Sequence, residues 1–271
     1  MDNIPSHLYH YTNITSLALI LKYKKIRLSA LNKVDDVSET KSDDQVNFGQ
    51  YVFVTCWTSL EEESLPFWHM YTKEMTGVRI KLPTRMFVEH PNRDVPEYGI
   101  KTDNEGYFAT SFEEANLSNH TILPEVANKY YPIQYTNEKS LLYPKLYSRK
   151  PDGSRSVAIQ KLGIYKPKHW FFQEEWRFRL NIIPGIPMTK TTNSNPKELD
   201  RYLSAACGFE HGVALGFDEY FLSLNSEAFS QMEILLGPKQ RNGEKVIIEA
   251  LVKDFNPSAK IIESELEGLV Q

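Results

Sequence analysis

One segment of the chain, residues 51–58, constrains the fold more than any other. It opens with Tyr-Val-Phe-Val-Thr-Cys, an apolar, β-branched and aromatic run that predicts a buried strand. Residues 77–82 and 175–183 alternate apolar and polar side chains with period two, which is typical of half-buried strands. Strands of this kind must join a sheet, and other elements have to cover its apolar face.

Helical patterns are interspersed with these strands. Predicted helices cover residues 14–24, 67–73, 156–165, 197–206 and 244–254. Predicted strands cover residues 7–11, 26–29, 51–58, 77–82, 133–136, 175–183, 232–236 and 259–263. The pattern is weak around residues 83–128, which we expect to be a variable, insertion-like region. We therefore predict a single α+β domain over residues 1–271, with a mixed, mostly antiparallel sheet, continuous or split, flanked by helices.

Composition excludes several classes of protein. With 41% hydrophobic and 24% charged residues, the 271-residue chain is neither disordered nor fibrous. A net charge of -4 argues against a surface devoted to nucleic acid or an anionic membrane. No segment approaches 18 consecutive apolar residues and no signal peptide is visible, so we expect a cytoplasmic protein without a membrane span. Cys56 and Cys207 are far apart and are expected to be buried thiols.

Two motifs in the first forty residues carry polar groups that a ligand could use. Leu8-Tyr9-His10-Tyr11-Thr12 places a histidine among aromatic residues at a strand end, where it can bind a ligand hydroxyl. A histidine paired with the backbone explains the motif equally well. Residues 31–39 contain three acidic side chains that could ligate a hard cation, or could cap a short helix.

Two later motifs combine aromatic and charged residues. Trp68 and Tyr71 are three residues apart, so on a helix they share one face and can line a pocket for a flat ring or pack in the core. On the strand that begins at Glu175, Glu175 and Arg177 point to one side and Trp176 to the other. This pair is either a structural ion pair or part of a site whose carboxylate stabilises a developing positive charge.

In this order, the motifs resemble a bacterial family known only as a domain of unknown function. Its members are similar to this chain in Leu-Tyr-His-Tyr-Thr, in Arg27-Leu28-Ser29, in Leu-Pro-x-Trp-x-x-Tyr, in Glu-Trp-Arg and in Leu236-Gly237-Pro238. The resemblance covers nearly the whole chain. Two departures are the acidic loop Asp35-Asp36-Val37-Ser38-Glu39, which lacks the family's Asn and Pro, and residues 83–128, which have no counterpart.

More distantly, the motifs resemble the ADP-ribosyltransferase superfamily, which combines an early-strand His, a Tyr and a late-strand Glu. The resemblance implies that NAD is the substrate and that no metal is needed. His10 would hold a ribose hydroxyl, Tyr71 would stack on nicotinamide, and Glu175, or its neighbour Glu174, would orient the other ribose and stabilise the cation. The residues implied in dinucleotide binding are Tyr11, Thr12, Arg27, Ser29, Trp68 and Arg177. Tyr71 departs from the superfamily because its predicted position is helical.

Three functions remain open from the sequence. The first is an NAD-consuming transferase or glycohydrolase, acting as a toxin or phage-defence effector on an unidentified protein or nucleic-acid acceptor. The second is a noncatalytic module that senses a small-molecule nucleotide. The third is a metal-dependent nuclease or phosphoesterase that uses Asp35, Asp36, Glu39 and Glu175.

Overall fold

A computed structural model describes residues 4–149, 151 and 155–270. The strands are β1 His7–Thr12, β2 Lys25–Ala30, β3 Val52–Thr58, β4 Val78–Pro83, β5 His90–Pro91, β6 Tyr107–Phe108, β7 His120–Ile122, β8 Tyr130–Pro132, β9 Gln134–Thr136, β10 Tyr147–Arg149, β11 Arg155–Val157, β12 Tyr165–Pro167, β13 Glu175–Pro184, β14 Glu219–Ser223, β15 Glu233–Leu236 and β16 Lys260–Ile262. The α-helices are α1 Ile14–Tyr23, α2 Leu65–Tyr71, α3 Phe112–Asn116, α4 Lys139–Leu142, α5 Pro196–Ala206, α6 Ser226–Ser230 and α7 Asn242–Phe255. The expected domain over 1–271 includes residues 1–3, 150, 152–154 and 271, which lie outside the described residues.

One ten-stranded sheet organises these elements. Its strand order is β14-β2-β3-β1-β4-β15-β16. Strand β13 also pairs with β3, and β7 and β8 pair with β13. Neighbouring strands are antiparallel except for the parallel pair of β15 and β16. The predicted α+β domain with a mixed, mostly antiparallel sheet flanked by helices is therefore confirmed.

Strand β3 is the centre of the core, as its apolar sequence predicts. Phe53 packs into the larger apolar cluster under α1 and α7, while Val52 and Val54 pack into a second cluster on the opposite face. Helix α1 turns Leu17 and Leu21 into the larger cluster. Both sheet faces are thus covered around β3, which fixes its register with β13.

The predicted helix over residues 156–165 is wrong. This segment forms the strand β11, a 3-10 turn at Ile159–Lys161 and the strand β12. Gly163 has a φ of +71°, a left-handed conformation that interrupts a helix before it can form. Strand β14 and helix α6 were missed, and the insertion-like region contributes β7, which pairs with the end of β13.

The sheet splits at β3. One edge of β3 pairs with β13 along its whole length, from Glu175 opposite Thr58 to Asn181 opposite Val52. On the other edge, β1 pairs at Thr58 alone and β2 pairs only at Phe53 and Val54. Between Val54 and Thr58, β1 and β2 diverge and neither strand pairs with β3. Helix α1 connects the two strands. The split leaves a gap in the sheet beside the middle of β3.

Candidate functional site

A cavity of about 520 Å3 occupies this gap. Helix α1 and strands β2 and β14 form its sides, and the middle of β3 with the start of β13 forms its floor. Its volume is within the range of small-molecule sites, about 300–1,000 Å3. The predicted site residues that line it are His10, Thr12, Arg27, Ser29, Tyr71, Glu175 and Arg177.

Two cations hold the carboxylate of Glu175. Arg177 Nε donates to Oε1 at 2.5 Å, and Lys166 Nζ donates to Oε2 at 2.6 Å. Glu175 and Arg177 share a face because β13 is extended and they are two residues apart, as the sequence predicts. Lys166 reaches the same carboxylate from β12, which pairs with β9 in a separate two-stranded sheet.

Arg177 connects Glu175 to a second buried carboxylate, that of Glu39. Its Nη2 donates to Oε1 of Glu39 at 2.9 Å, and its Nη1 donates to Oε2. Lys166 Nζ also lies 3.5 Å from Glu39 Oε1. We call Glu39, Lys166, Glu175 and Arg177 the buried charge network. None of these four side chains is more than 5% exposed, and its two cations balance its two carboxylates.

The buried charge network fixes the ionisation of Glu175. Burial by itself raises the pKa of this carboxyl, because a low-dielectric surrounding disfavours the charged form. The charges of Arg177 and Lys166 outweigh burial and lower the pKa of Glu175 from 4.5 to about 2. Glu175 is therefore an oriented anion at neutral pH.

Tyr71 joins the same network through an amide. Gln173 Nε2 donates to the Tyr71 hydroxyl at 2.7 Å, and Gln173 Oε1 accepts from Lys166 Nζ at 2.8 Å. Burial raises the pKa of Tyr71, and the negative charge of Asp35 raises it further. Tyr71 is thus a neutral phenol, whose hydroxyl accepts a hydrogen bond from Gln173.

His10 spans the split between β1 and β3. Its Nδ1 lies 2.9 Å from the carbonyl oxygen of Cys56, and because a carbonyl only accepts, this nitrogen carries the proton. Burial lowers the pKa of His10 and outweighs the opposite effect of that hydrogen bond. The imidazole is consequently neutral, with Nε2 as a hydrogen-bond acceptor suited to a ligand hydroxyl.

Tyr11 and Trp68 do not lie in the cavity, contrary to the binding roles expected of them. They belong to a third apolar cluster, in which the two rings meet edge to face with centroids 4.8 Å apart. Trp68 is fully buried, and its Nε1 donates to Glu63 at 2.9 Å. Strand β1 alternates, so Tyr11 faces away from His10, and α2 turns Trp68 to that same side.

The acidic loop of residues 31–39 is not arranged as a metal site. Asp36 accepts hydrogen bonds from the backbone and hydroxyl of Ser38 and so caps a 3-10 turn. Glu39 binds Arg177, and Asp35 lines the cavity together with Tyr71. Within residues 4–149, 151 and 155–270, no group of three or more His, Cys, Asp or Glu side chains could hold a metal ion.

Sequence reasoning missed three of the polar groups around Glu175: Lys166, Gln173 and the thiol of Cys56. Lys166 follows the segment that was assigned to a helix, although Gly163 and Pro167 on either side of it are signals against that helix. Cys56 was interpreted as a buried apolar residue, but it lines the same cavity as Glu175, and burial raises the pKa of its thiol. Both cysteines are free, and Cys207 is exposed rather than buried.

Comparison with protein-family models, with curated proteins and with solved structures gives no match to this chain. Across the part of the chain that the structure describes, no helix combines the length and the apolar character needed to cross a bilayer. A function for this chain is therefore inferred from the geometry of the cavity.

Proposed function

We propose that the cavity binds NAD and that the protein breaks the bond between nicotinamide and ribose. The observation that carries this proposal is the convergence of His10, Tyr71 and Glu175 on one cavity. These residues come from the first strand, the second α-helix and the late strand β13, and all three line the cavity at the sheet split. The arrangement supports an NAD-consuming transferase or glycohydrolase acting as a toxin or phage-defence effector.

Each residue has a role in this chemistry. When the C1′–N bond breaks, the electron pair leaves with neutral nicotinamide, and positive charge develops on the ribose ring. The Glu175 anion stabilises that charge, as carboxylates do in glycosidic bond cleavage. His10 Nε2 accepts a hydrogen bond from a ribose hydroxyl, and the Tyr71 ring packs against nicotinamide. An acceptor oxygen then bonds to C1′ and releases its proton.

Glu175 can still bind a substrate hydroxyl although cations surround it. An ionised carboxylate offers about four acceptor sites. Arg177 Nε and Lys166 Nζ occupy two of them. The remaining sites can accept from a ribose hydroxyl, and the hydrogen bonds at the occupied ones hold the carboxylate in a single orientation for it.

The cytoplasm is the compartment we propose for this activity. Cys56 and Cys207 are both free thiols, as is usual in a reducing compartment. A toxin or defence effector that consumes NAD would also meet its substrate there.

Incubation of the purified protein with NAD tests the proposal. Release of nicotinamide from NAD alone identifies a glycohydrolase, whereas release that requires cell extract, with transfer of labelled ADP-ribose, identifies a transferase. Glu175→Gln keeps the size of the side chain and removes its charge, so it should abolish release while the protein still melts cooperatively. Exposed Glu74→Gln, which lies outside the cavity, is the control. No release under any of these conditions would contradict the proposal.

A second candidate function is nucleotide sensing without turnover. The observation in its favour is that Glu175 is only 5% exposed and is paired with cations on both oxygens, as in a structural ion pair. This function predicts that NAD raises the melting temperature with concentration, while nicotinamide release stays at the background rate.

A further inference from the structure

The outer part of the cavity is lined by large apolar side chains that water reaches. Leu19 and Tyr23 of α1 are 51% and 57% exposed, and Phe221 of β14 is 45% exposed. All three line the same cavity as Glu175. Leaving such side chains exposed is costly, and a ligand that covers them gains the corresponding hydrophobic free energy.

The fold places these residues on opposite sides of the opening. In α1, Leu19 and Tyr23 are four residues apart on one face, while Leu17 points to the core. In β14, Leu222 is buried in the core, so its neighbour Phe221 projects from the opposite face. The apolar walls therefore follow from the same periodicities that bury the core faces of α1 and β14.

Cationic side chains of β2 lie beside the apolar residue of β14 at this opening. Phe221 pairs across the strands with Arg27, and Lys25 is two residues before Arg27 on the same face of β2. Arg27 binds Glu219 at 2.8 Å, but both side chains are about half exposed, and such a pair contributes little. Arg27 and Lys25 can therefore turn to an anionic group of a ligand.

We propose that the ligand is a purine dinucleotide whose purine ring lies between α1 and Phe221. Its phosphates lie beside Lys25 and Arg27, and its reacting ribose lies at Glu175. This inference rests on the proposed function and adds that the adenylate half supplies most of the binding. Binding energy from a remote part of a substrate positions the reacting part, so a truncated substrate should react poorly.

Comparison of NAD with nicotinamide mononucleotide tests this assignment, because both contain the same scissile bond and only NAD has the adenylate. We expect Phe221→Ser and Leu19→Ser each to raise the KM for NAD about tenfold or more, from the loss of stacking and apolar contact. The same substitutions should leave the KM for nicotinamide mononucleotide unchanged. Val246→Ser is the matched control, because Val246 is 63% exposed on α7 and does not line the cavity.

The outcomes separate this inference from the proposed function. If nicotinamide is released but Phe221→Ser and Leu19→Ser leave the KM for NAD unchanged, the purine assignment is wrong and the proposed function stands. If nothing is released, equilibrium binding decides: tenfold weaker NAD binding by both variants supports the assignment, and equal binding overturns it. If the unaltered protein binds no NAD at all, both are overturned.

Discussion

Removal of Glu39 should destabilise the protein strongly although this residue does not line the cavity. Glu39 is buried, and its carboxylate makes two hydrogen bonds to Arg177 and lies near Lys166. In Glu39→Ala the two cations of the buried charge network face one carboxylate, Glu175. An uncompensated charge of +1 is then left in a region from which water is excluded.

The magnitude follows from that imbalance. Breaking a buried ion pair by removing one partner costs about 3–5 kcal/mol. At about 2–4 °C per kcal/mol, the melting temperature should fall by roughly 6–20 °C. The matched control is Glu74→Ala, which removes the exposed partner of Arg241 and should cost less than about 1 kcal/mol.

A double-mutant cycle tests the charge argument itself. Arg177→Met alone leaves both carboxylates with Lys166, whereas Glu39→Ala with Arg177→Met leaves Glu175 and Lys166 as a balanced pair. Urea denaturation should therefore show that the double variant loses about 2 kcal/mol less than the sum of the single variants. Additive losses, or a loss below about 1 kcal/mol for Glu39→Ala, would refute the reasoning.

Three further predictions concern single residues. The pKa of Glu175 is lower in the folded state than its ordinary 4.5. Its ionised carboxylate therefore contributes about 3 kcal/mol to the free energy of unfolding above pH 4.5, and this contribution is lost as the pH falls through about 2. Urea denaturation at a series of pH values should show the free energies of unfolding of Glu175→Gln and wild type converging over that window, and a constant difference would contradict this. Trp68→Phe removes the hydrogen bond to Glu63 and should lower the free energy of unfolding by about 1–3 kcal/mol without changing the affinity for NAD. Weaker NAD binding by this variant would show that Trp68 belongs to the binding site. His10→Asn keeps a donor for the Cys56 carbonyl but removes the acceptor Nε2. Calorimetry should therefore show about tenfold weaker NAD binding at an unchanged melting temperature. An unchanged affinity for NAD would exclude a ligand contact by His10.

The central part of the fold could be predicted because its elements have strong periodicity. The run at 51–58 and the alternation at 175–183 identify two strands, and the first of them pairs with the second along its whole length. The split of the sheet could not be predicted from periodicity, because it depends on where β1 and β2 stop pairing with β3. Local sequence patterns do not encode that divergence, so the cavity itself could be found only in three dimensions.

The candidate site was predictable in part for a similar reason. Alternation along β13 places Glu175 and Arg177 on one face, but the same argument cannot show that Glu39 or Lys166 meets them from distant segments. For Trp68 the helical spacing was consistent with either a pocket or the core, and packing against Tyr11 decides for the core. Charge pairs and aromatic neighbours that are remote in sequence account for the residues that sequence reasoning missed or misplaced.

The most direct test of the central claim is the amount of nicotinamide released from NAD by wild type and by Glu175→Gln, measured with and without cell extract. We expect release by the wild-type protein and none above background by Glu175→Gln, with cooperative melting of both. Equal release by the two proteins would show that Glu175 is a structural partner of Arg177 and Lys166. No release by the wild-type protein in either condition would contradict the proposed NAD-cleaving activity.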